Sequence, residues 1–382
     1  MSIAIRGLST IVPPVVLTQD AAAGMFAAQP GVSPLAARLI TAAFGGAGVE
    51  RRHTVLDDLD LGALAQERDP VFLDRRSNEL LLPGTGVRND LYREHAGRIF
   101  VEAARAALAA APGIGPDDVT HVVTVSCTGF MAPGPDFLIA SDLGLRPDVQ
   151  RYQLGFMGCY AAIPALRFAK QCCEADPEAV VLVVSVELCS LHVRASNEPD
   201  LIVANALFGD GAAAAIVTAR PAEAGERHLE LGAFATRITP DSEDDMAWRI
   251  GDNGFEMTLS NAVPSILAEH VGGALEPLFA DDAALRAALA AGAASAVIEH
   301  WAIHPGGRSI LDRVESALGL TTGQLAPARD VLRDYGNMSS ATVLFVLRAL
   351  LDAADTADGD RVVAMAFGPG LTVDSAMLTV RA

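Results

Sequence analysis

Cys159 stands in the stretch Gly155-Phe156-Met157-Gly158-Cys159-Tyr160-Ala161-Ala162. Small residues there run into an apolar segment in which Ala161, Ala162, Ile163, Ala165, Leu166 and Ala169 keep helical spacing. The pattern predicts a cysteine at the start of a helix. In that place the helix dipole and free backbone N–H groups lower a thiol's pKa and favour the nucleophilic thiolate, although many cysteines are simply buried and inert. Two other polar residues occupy comparable places far along the chain. His304 ends the apolar run from Ala296 to Ile303 and is followed by Pro305-Gly306-Gly307, and Asn337 precedes Met338-Ser339-Ser340 and another apolar stretch. Taken singly, His304 reads as a turn histidine and Asn337 as a helix N-cap. Taken together, a thiol, an imidazole and an amide are the set needed for acyl transfer with carbon–carbon bond formation. The cysteine would carry the acyl group as a thioester. The histidine would stabilise the thiolate and, with the amide, donate hydrogen bonds to the enolate oxygen formed when a malonyl thioester loses carbon dioxide.

These residues need a frame, and the chain writes one twice. In the first half a strand at Ile3 to Arg6 and an amphipathic helix from Tyr92 to Ala111 lead to a buried strand, His121 to Ser126, which opens into the small-residue loop Cys127 to Gly134. The Cys159 segment follows, then an apolar strand from Val180 to Val186 and a glycine turn, Phe208-Gly209-Asp210-Gly211, into a further strand. A polar connector, Pro221 to Arg227, separates the halves. The second half offers a helix from Ala262 to Phe279, the strand ending at His304, the helix start at Asn337, and a strand from Arg361 to Phe367 that ends in Gly368-Pro369-Gly370. Matching them pairs the Cys127 loop with the His304 loop, and the Cys159 helix with the Asn337 helix. The expectation is an α/β chain of two pseudo-symmetric halves, 1–222 carrying the cysteine and 223–382 carrying the histidine and asparagine, with strand-end loops meeting at one site.

The formal net charge of −19 argues against nucleic acid or an anionic membrane as partner. An anionic ligand such as a coenzyme A ester then needs local cations or backbone N–H groups, and Arg51-Arg52-His53 is one basic cluster in this acidic chain. Cys127, Cys159, Cys172, Cys173 and Cys189 make an odd number without zinc-ligand spacing, which fits a reducing cytoplasm better than a disulfide scaffold. Met1 to Gln19 has no signal-peptide pattern. The most apolar run, Ala179 to Leu191, is short and contains Glu187, so it reads as a buried strand and not a membrane span.

Five motifs in order, Gly-Phe-Met-Gly-Cys-Tyr at 155–160, Ala-Leu-Phe-Gly-Asp-Gly-Ala-Ala-Ala at 206–214, His-Pro-Gly-Gly at 304–307, Tyr-Gly-Asn-Met-Ser-Ser-Ala at 335–341 and Gly-Pro-Gly at 368–370, resemble the type III polyketide synthases. This is the chalcone-synthase-like branch of the thiolase superfamily. Initiating ketoacyl synthases share part of the pattern but usually carry His-Gln-Ala-Asn at the histidine and lack the Gly-Pro-Gly loop. The resemblance implies a five-layered αβαβα thiolase-like fold, a homodimer, acyl-CoA and malonyl-CoA as substrates, and no metal or prosthetic group. It implies Cys159 as nucleophile, His304 and Asn337 as the decarboxylation pair and Phe208 as the gatekeeper aromatic. It also places Met257 at a second gatekeeper position, Gly368-Pro369-Gly370 at the cyclisation pocket, and coenzyme A contacts at Arg51, Arg52, Gly306 and Gly307.

Departures from the plant pattern bear on the product. Cys127, Thr128 and Cys189 fall on cavity-lining positions, and Ala132 replaces a Met that in plant enzymes closes the cavity across the dimer interface. Small residues at 132 and 189 imply a tunnel for a long acyl chain, each buried methylene being worth about 0.8 kcal/mol. Trp248 replaces a plant Gly; it either fills the cavity floor, as in resorcinol-forming relatives, or is a rim residue. The resemblance thus implies a long-chain alkylresorcinol or alkylpyrone synthase. The alternatives are a malonyl-primed tetrahydroxynaphthalene synthase, which Cys127 also suits, an initiating ketoacyl synthase, and a catalytically silent acyl-binding partner subunit.

Overall fold

The computed structural model describes residues 2–62 and 69–382. In the first half, strand β1 (Ala4–Ile11) is followed by a small antiparallel pair, β2 (Val15–Thr18) and β3 (Arg51–Thr54), and by helix α1 (Thr85–Ala109). Strand β4 (His121–Ser126) and its parallel neighbour β5 (Gln150–Gly155) precede helix α2 (Ala162–Ala175). Strand β6 (Val180–Leu188), helix α3 (Pro199–Leu207) and strand β7 (Asp210–Thr218) complete this half. The second half contains β8 (His228–Ile238), a hairpin of β9 (Met246–Gly251) and β10 (Gly254–Leu259), α4 (Val263–Leu275), β11 (His300–Ile303), α5 (Arg308–Leu318), α6 (Thr342–Asp352), β12 (Arg361–Gly368) and β13 (Thr372–Arg381).

Nine of these strands form one sheet in the order β11-β12-β13-β8-β1-β7-β6-β4-β5. Each half follows one rule. Its first strand lies at the seam, its last strand pairs antiparallel beside it, and a further antiparallel strand then takes a parallel neighbour. Only two residue pairs, Ala4↔Glu230 and Ile5↔Leu229, join β1 to β8 across the seam.

Five layers result. Helix α1 covers the outer face of β1, β6 and β7, α4 lies on the far side against β8 and β13 with α5 packed on it, and α2 and α6 are sandwiched between the two half-sheets. Sequence explains the placement. Helix α6 buries Val343, Leu344, Phe345, Val346 and Leu347 in succession, which is the signature of a helix surrounded on all sides. Every residue of β6 and β7 is buried, and Ala212 to Ala215 keep β7 thin enough for helices to pack close on both faces.

Three expectations shift. The strand before His304 spans only His300–Ile303, because the chain forms a 3-10 turn at Ala294–Ala296 whose cap, Val297, is not in extended backbone. The helix from 262 stops at Leu275 ahead of Pro277. The β9–β10 hairpin had no counterpart in the sequence reading.

Candidate active site

Cys159 lies in the turn between β5 and α2, three residues before the helix begins. The turn needs backbone that few residues supply: Phe156 has φ 60° and Gly158 φ 79°. A Cβ on Gly158 would stand 2.5 Å from Pro369 Cδ, so the Gly-Pro-Gly loop can lie directly on the cysteine turn. The Cys159 thiol is buried, 4.0 Å from Asn337 Oδ1. Asn337 Oδ1 also accepts from the Ser339 N–H at 2.8 Å, so the amide caps the turn ahead of α6 as well as facing the thiol. Asn337 Nδ2 donates to Gly306 O at 3.5 Å, and the His304 ring lies beside Gly306, its Nε2 3.8 Å from where a Cβ would be. Thiol, amide and imidazole, brought from the two halves, therefore gather at one point.

His304 is buried, and among the described residues both its ring nitrogens are without a partner. Buried polar atoms without partners are rare, and they mark groups kept for a ligand. Burial pushes the imidazole pKa down to about 3, so the ring is neutral. Burial pushes the Cys159 thiol up to about 11, helped by the Glu187 carboxylate. The thiolate expected from a helix start is thus not the form this environment favours. The physical reasons are the enclosed site, the separation of Cys159 from the first helical residue, and an imidazole that makes no hydrogen bond to the sulfur.

An apolar cavity opens from Cys159. Cys127, Thr128, Cys189, Phe208, Trp248 and Met257 all line it, and so does Pro369. Ala132 does not. It is exposed on the loop after β4, outside the cavity of its own chain, so the expected effect on tunnel size has no basis within one protomer.

The family models for chalcone and stilbene synthases match the chain at residues 77–221 for the N-terminal domain and 230–381 for the C-terminal domain. The chain belongs to this family, the type III polyketide synthases. It is 36% identical over 338 residues to the bisdemethoxycurcumin synthase of Oryza sativa subsp. japonica, covering 87% of this chain and 80% of that one. It is 30% identical over 382 residues to the alpha-pyrone synthesis polyketide synthase-like Pks18 of Mycobacterium tuberculosis, covering 98% and 91%. The crystal structure of PKS-I from the brown alga Ectocarpus siliculosus superposes with a TM-score of 0.88 at 28% identity, over 99% of this chain and 98% of that one. As a type III polyketide synthase the protein is a condensing acyltransferase of thiolase-like fold. It works on acyl-CoA and malonyl-CoA and needs no cofactor beyond these coenzyme A thioesters.

Within the synthase, the cavity wall contains residues the sequence reading passed over. Trp248 is no rim residue: its Nε1–H donates to Cys127 O at 2.8 Å. His192 Nε2 lies 2.9 Å from Thr128 O, and its Nδ1 accepts from the Phe255 N–H at 3.0 Å, which fixes the tautomer with the proton on Nε2. Two ring N–H groups thus hold two successive carbonyls, and the His192 ring meets Trp248 edge-on at 5.5 Å and stacks on Phe255 at 4.2 Å. Behind this wall Glu187 is fully buried, and burial raises its pKa. It accepts from Cys127 N–H at 3.0 Å, from Thr128 Oγ1 at 2.9 Å and from Ser340 Oγ. A charge inside the apolar 179–191 run was the visible signal for Glu187; nothing local marked His192.

The coenzyme A candidates divide. Arg51 is exposed and paired with Asp334 at 2.9 Å. Arg52 is the correction: it is only 5% exposed, and its guanidinium donates to Asn205 O and Phe208 O, facing into the protein and away from any phosphate at the surface. Strand alternation in β3 turns one arginine out and the next in. Gly306 sits beside His304, and Gly307 packs on Leu207 ahead of α5.

Proposed function

We propose that this synthase loads a long-chain acyl group from acyl-CoA onto Cys159, extends it with two or three malonyl units, and cyclises the chain to an alkylresorcinol or alkylpyrone. The observation that carries the reading is the apolar cavity that starts at Cys159 and is walled by the small side chains of Cys127 and Cys189 and by Leu201 and Ala204 of α3. The likeness to a relative named for alpha-pyrone synthesis supports it.

Neutral His304 is in the form that accepts the Cys159 proton, so the sulfur can attack the starter thioester and the protonated imidazole can return that proton to the departing coenzyme A thiol. A malonyl thioester then enters. Loss of carbon dioxide leaves an enolate whose oxygen takes hydrogen bonds from a His304 ring N–H and from Asn337 Nδ2–H, and its carbon attacks the acyl carbonyl on Cys159, breaking the C–S bond and freeing the Cys159 sulfur. Phe208 and Met257 are assigned to the gate, where an apolar ring disfavours the malonyl carboxylate and so favours its departure.

The same reading makes the enzyme a cytoplasmic homodimer. Strand β5 is a sheet edge exposed along most of its length, and Phe137 beside it and Tyr152 on it are 46% and 40% exposed, an apolar surface that a second copy would cover. Ala132 would then act on the partner's cavity.

The experiment supplies purified protein with malonyl-CoA and acyl-CoA starters from acetyl to eicosanoyl, with products read by mass spectrometry. Triketide and tetraketide resorcinols or pyrones that carry the long chain are expected. Products from malonyl-CoA alone would instead favour the tetrahydroxynaphthalene alternative, which the Cys127 thiol facing the cavity also suits. Trp248→Gly should shift the resorcinol-to-pyrone ratio; an unchanged ratio removes Trp248 from control of cyclisation.

A further inference from the structure

The last four carbonyls of a helix have no partners within it and must find them elsewhere. At the end of α3 the four carbonyls from Asn205 to the cap residue Phe208 are all taken, and by an unusual set of donors. Asn205 O accepts from Arg52 Nη1 at 2.5 Å, and Ala206 O from Gln19 Nε2 at 2.9 Å. Leu207 O accepts from the Asn337 N–H at 2.8 Å, and Phe208 O from Arg52 Nη1 at 3.2 Å. The other arm of the guanidinium donates to Gln19 Oε1, which joins the two side chains into one unit. Asn337 O in turn accepts from Gly209 N–H at 3.0 Å. The stem of Arg52 packs where glycine leaves room: its Cβ lies 3.1 Å and 3.6 Å from where Cβ atoms on Gly209 and Gly336 would stand.

We infer that Arg52 and Gln19 are positioning residues which, through the carbonyl end of α3, set Phe208 and Asn337 against each other across the thiol. Arg52 is suited to this because a cation at a helix C-terminus meets the negative end of the dipole, and its planar fork reaches carbonyls that a single ammonium cannot hold together. Its guanidinium also stands 5.5 Å over the Phe44 ring and, among the described residues, pairs with no carboxylate. The arrangement joins the gate and the amide donor mechanically, so a displacement of one moves the other. The inference rests on the proposed decarboxylation roles of Phe208 and Asn337.

The test compares decarboxylation of malonyl-CoA with that of malonyl-N-acetylcysteamine, which carries the same thioester without phosphates. In Arg52→Met, kcat should fall about tenfold or more for both thioesters by the same factor, because reacting groups displaced by a fraction of an ångström lose rate whatever the carrier. Arg52→Lys should recover part of that loss, and Gln19→Leu should show a smaller loss of the same kind. A loss confined to malonyl-CoA and expressed as a raised KM would overturn the inference, since it would mean that Arg52 reads a phosphate. Unchanged kcat in Gln19→Leu with a folded protein would overturn it as well, and that variant serves if Arg52→Met does not fold. A wild-type enzyme that decarboxylates neither thioester would refute the reading of the site itself, a result distinct from either of these.

Discussion

Trp248→Phe isolates one hydrogen bond in the cavity wall. Phenylalanine keeps an aromatic ring beside His192 and Phe255 but deletes the N–H that reaches Cys127 O at 2.8 Å. Cys127 is buried, so its carbonyl has no water to turn to, and leaving such a group unmade costs about 1–3 kcal/mol. The loss falls on a peptide that already carries load. On one side its N–H and the next hydroxyl bond Glu187, and on the other His192 holds the next carbonyl. Replacing His192 by leucine removes the second clamp. Because both clamps hold the same two residues, the two losses should not add, and a coupling energy of about 0.5–3 kcal/mol is expected between them. Denaturant midpoints of the wild type, both single variants and the double variant measure this directly. The products report in parallel: the loosened 127–128 loop should broaden the mixture of ring closures. Additive losses, or a Trp248→Phe protein as stable as the wild type, would show that the indole only fills space.

Other outcomes follow from the same geometry. His304→Gln should lower malonyl-CoA decarboxylation by about two to four orders of magnitude while Cys159 remains open to alkylation; comparable rates of decarboxylation would remove His304 from the enolate site. Phe137→Glu, which places a charge on the exposed apolar surface beside β5, should yield a monomer in light scattering coupled to gel filtration, and an unshifted mass would move the dimer surface elsewhere. Asp210 gives a pH test. Burial raises its pKa from 3.8 to about 6 despite bonds from Ser190 N at 2.7 Å and Val55 N at 2.9 Å. A carboxyl that holds its proton more tightly when folded stabilises the fold fully below the unfolded value and loses that contribution as pH rises through about 6. Acidification from pH 7 to 5 should therefore help the wild type more than Asp210→Asn, as read from denaturant midpoints; equal slopes would exclude this origin.

Local pattern and family motif made Cys159, His304 and Asn337 readable as a candidate set, which the fold gathers at one point, and the strands at 121, 180, 210 and 361 followed from apolar runs. What escaped was whatever depends on a partner distant in sequence. Arg51 and Arg52 look alike in a row of letters, and only the two-residue period of a strand separates a surface cation from a buried one. His192 sits after an apolar run with nothing to mark it, because its partners Thr128 and Phe255 are 64 and 63 residues away. The Cys159 pKa was misjudged for a related reason. A helix dipole is a local property, but burial is set by the whole fold, and here burial has the larger effect.

The place of β1 in the sheet has a temporal side. Its partner β7 pairs Ala4 with Thr218, so once made β1 waits for more than two hundred further residues before its ladder can close. At about 5–20 residues per second of synthesis, that wait lasts roughly 10–40 s. Its other neighbour, β8, comes later still and touches it at only two positions. Throughout that interval an apolar strand destined for the middle of the sheet has both edges bare, with α1 the one outer-layer helix already made that packs on it. The growing chain is therefore most exposed to misassociation before Cys159 and His304 have been brought together.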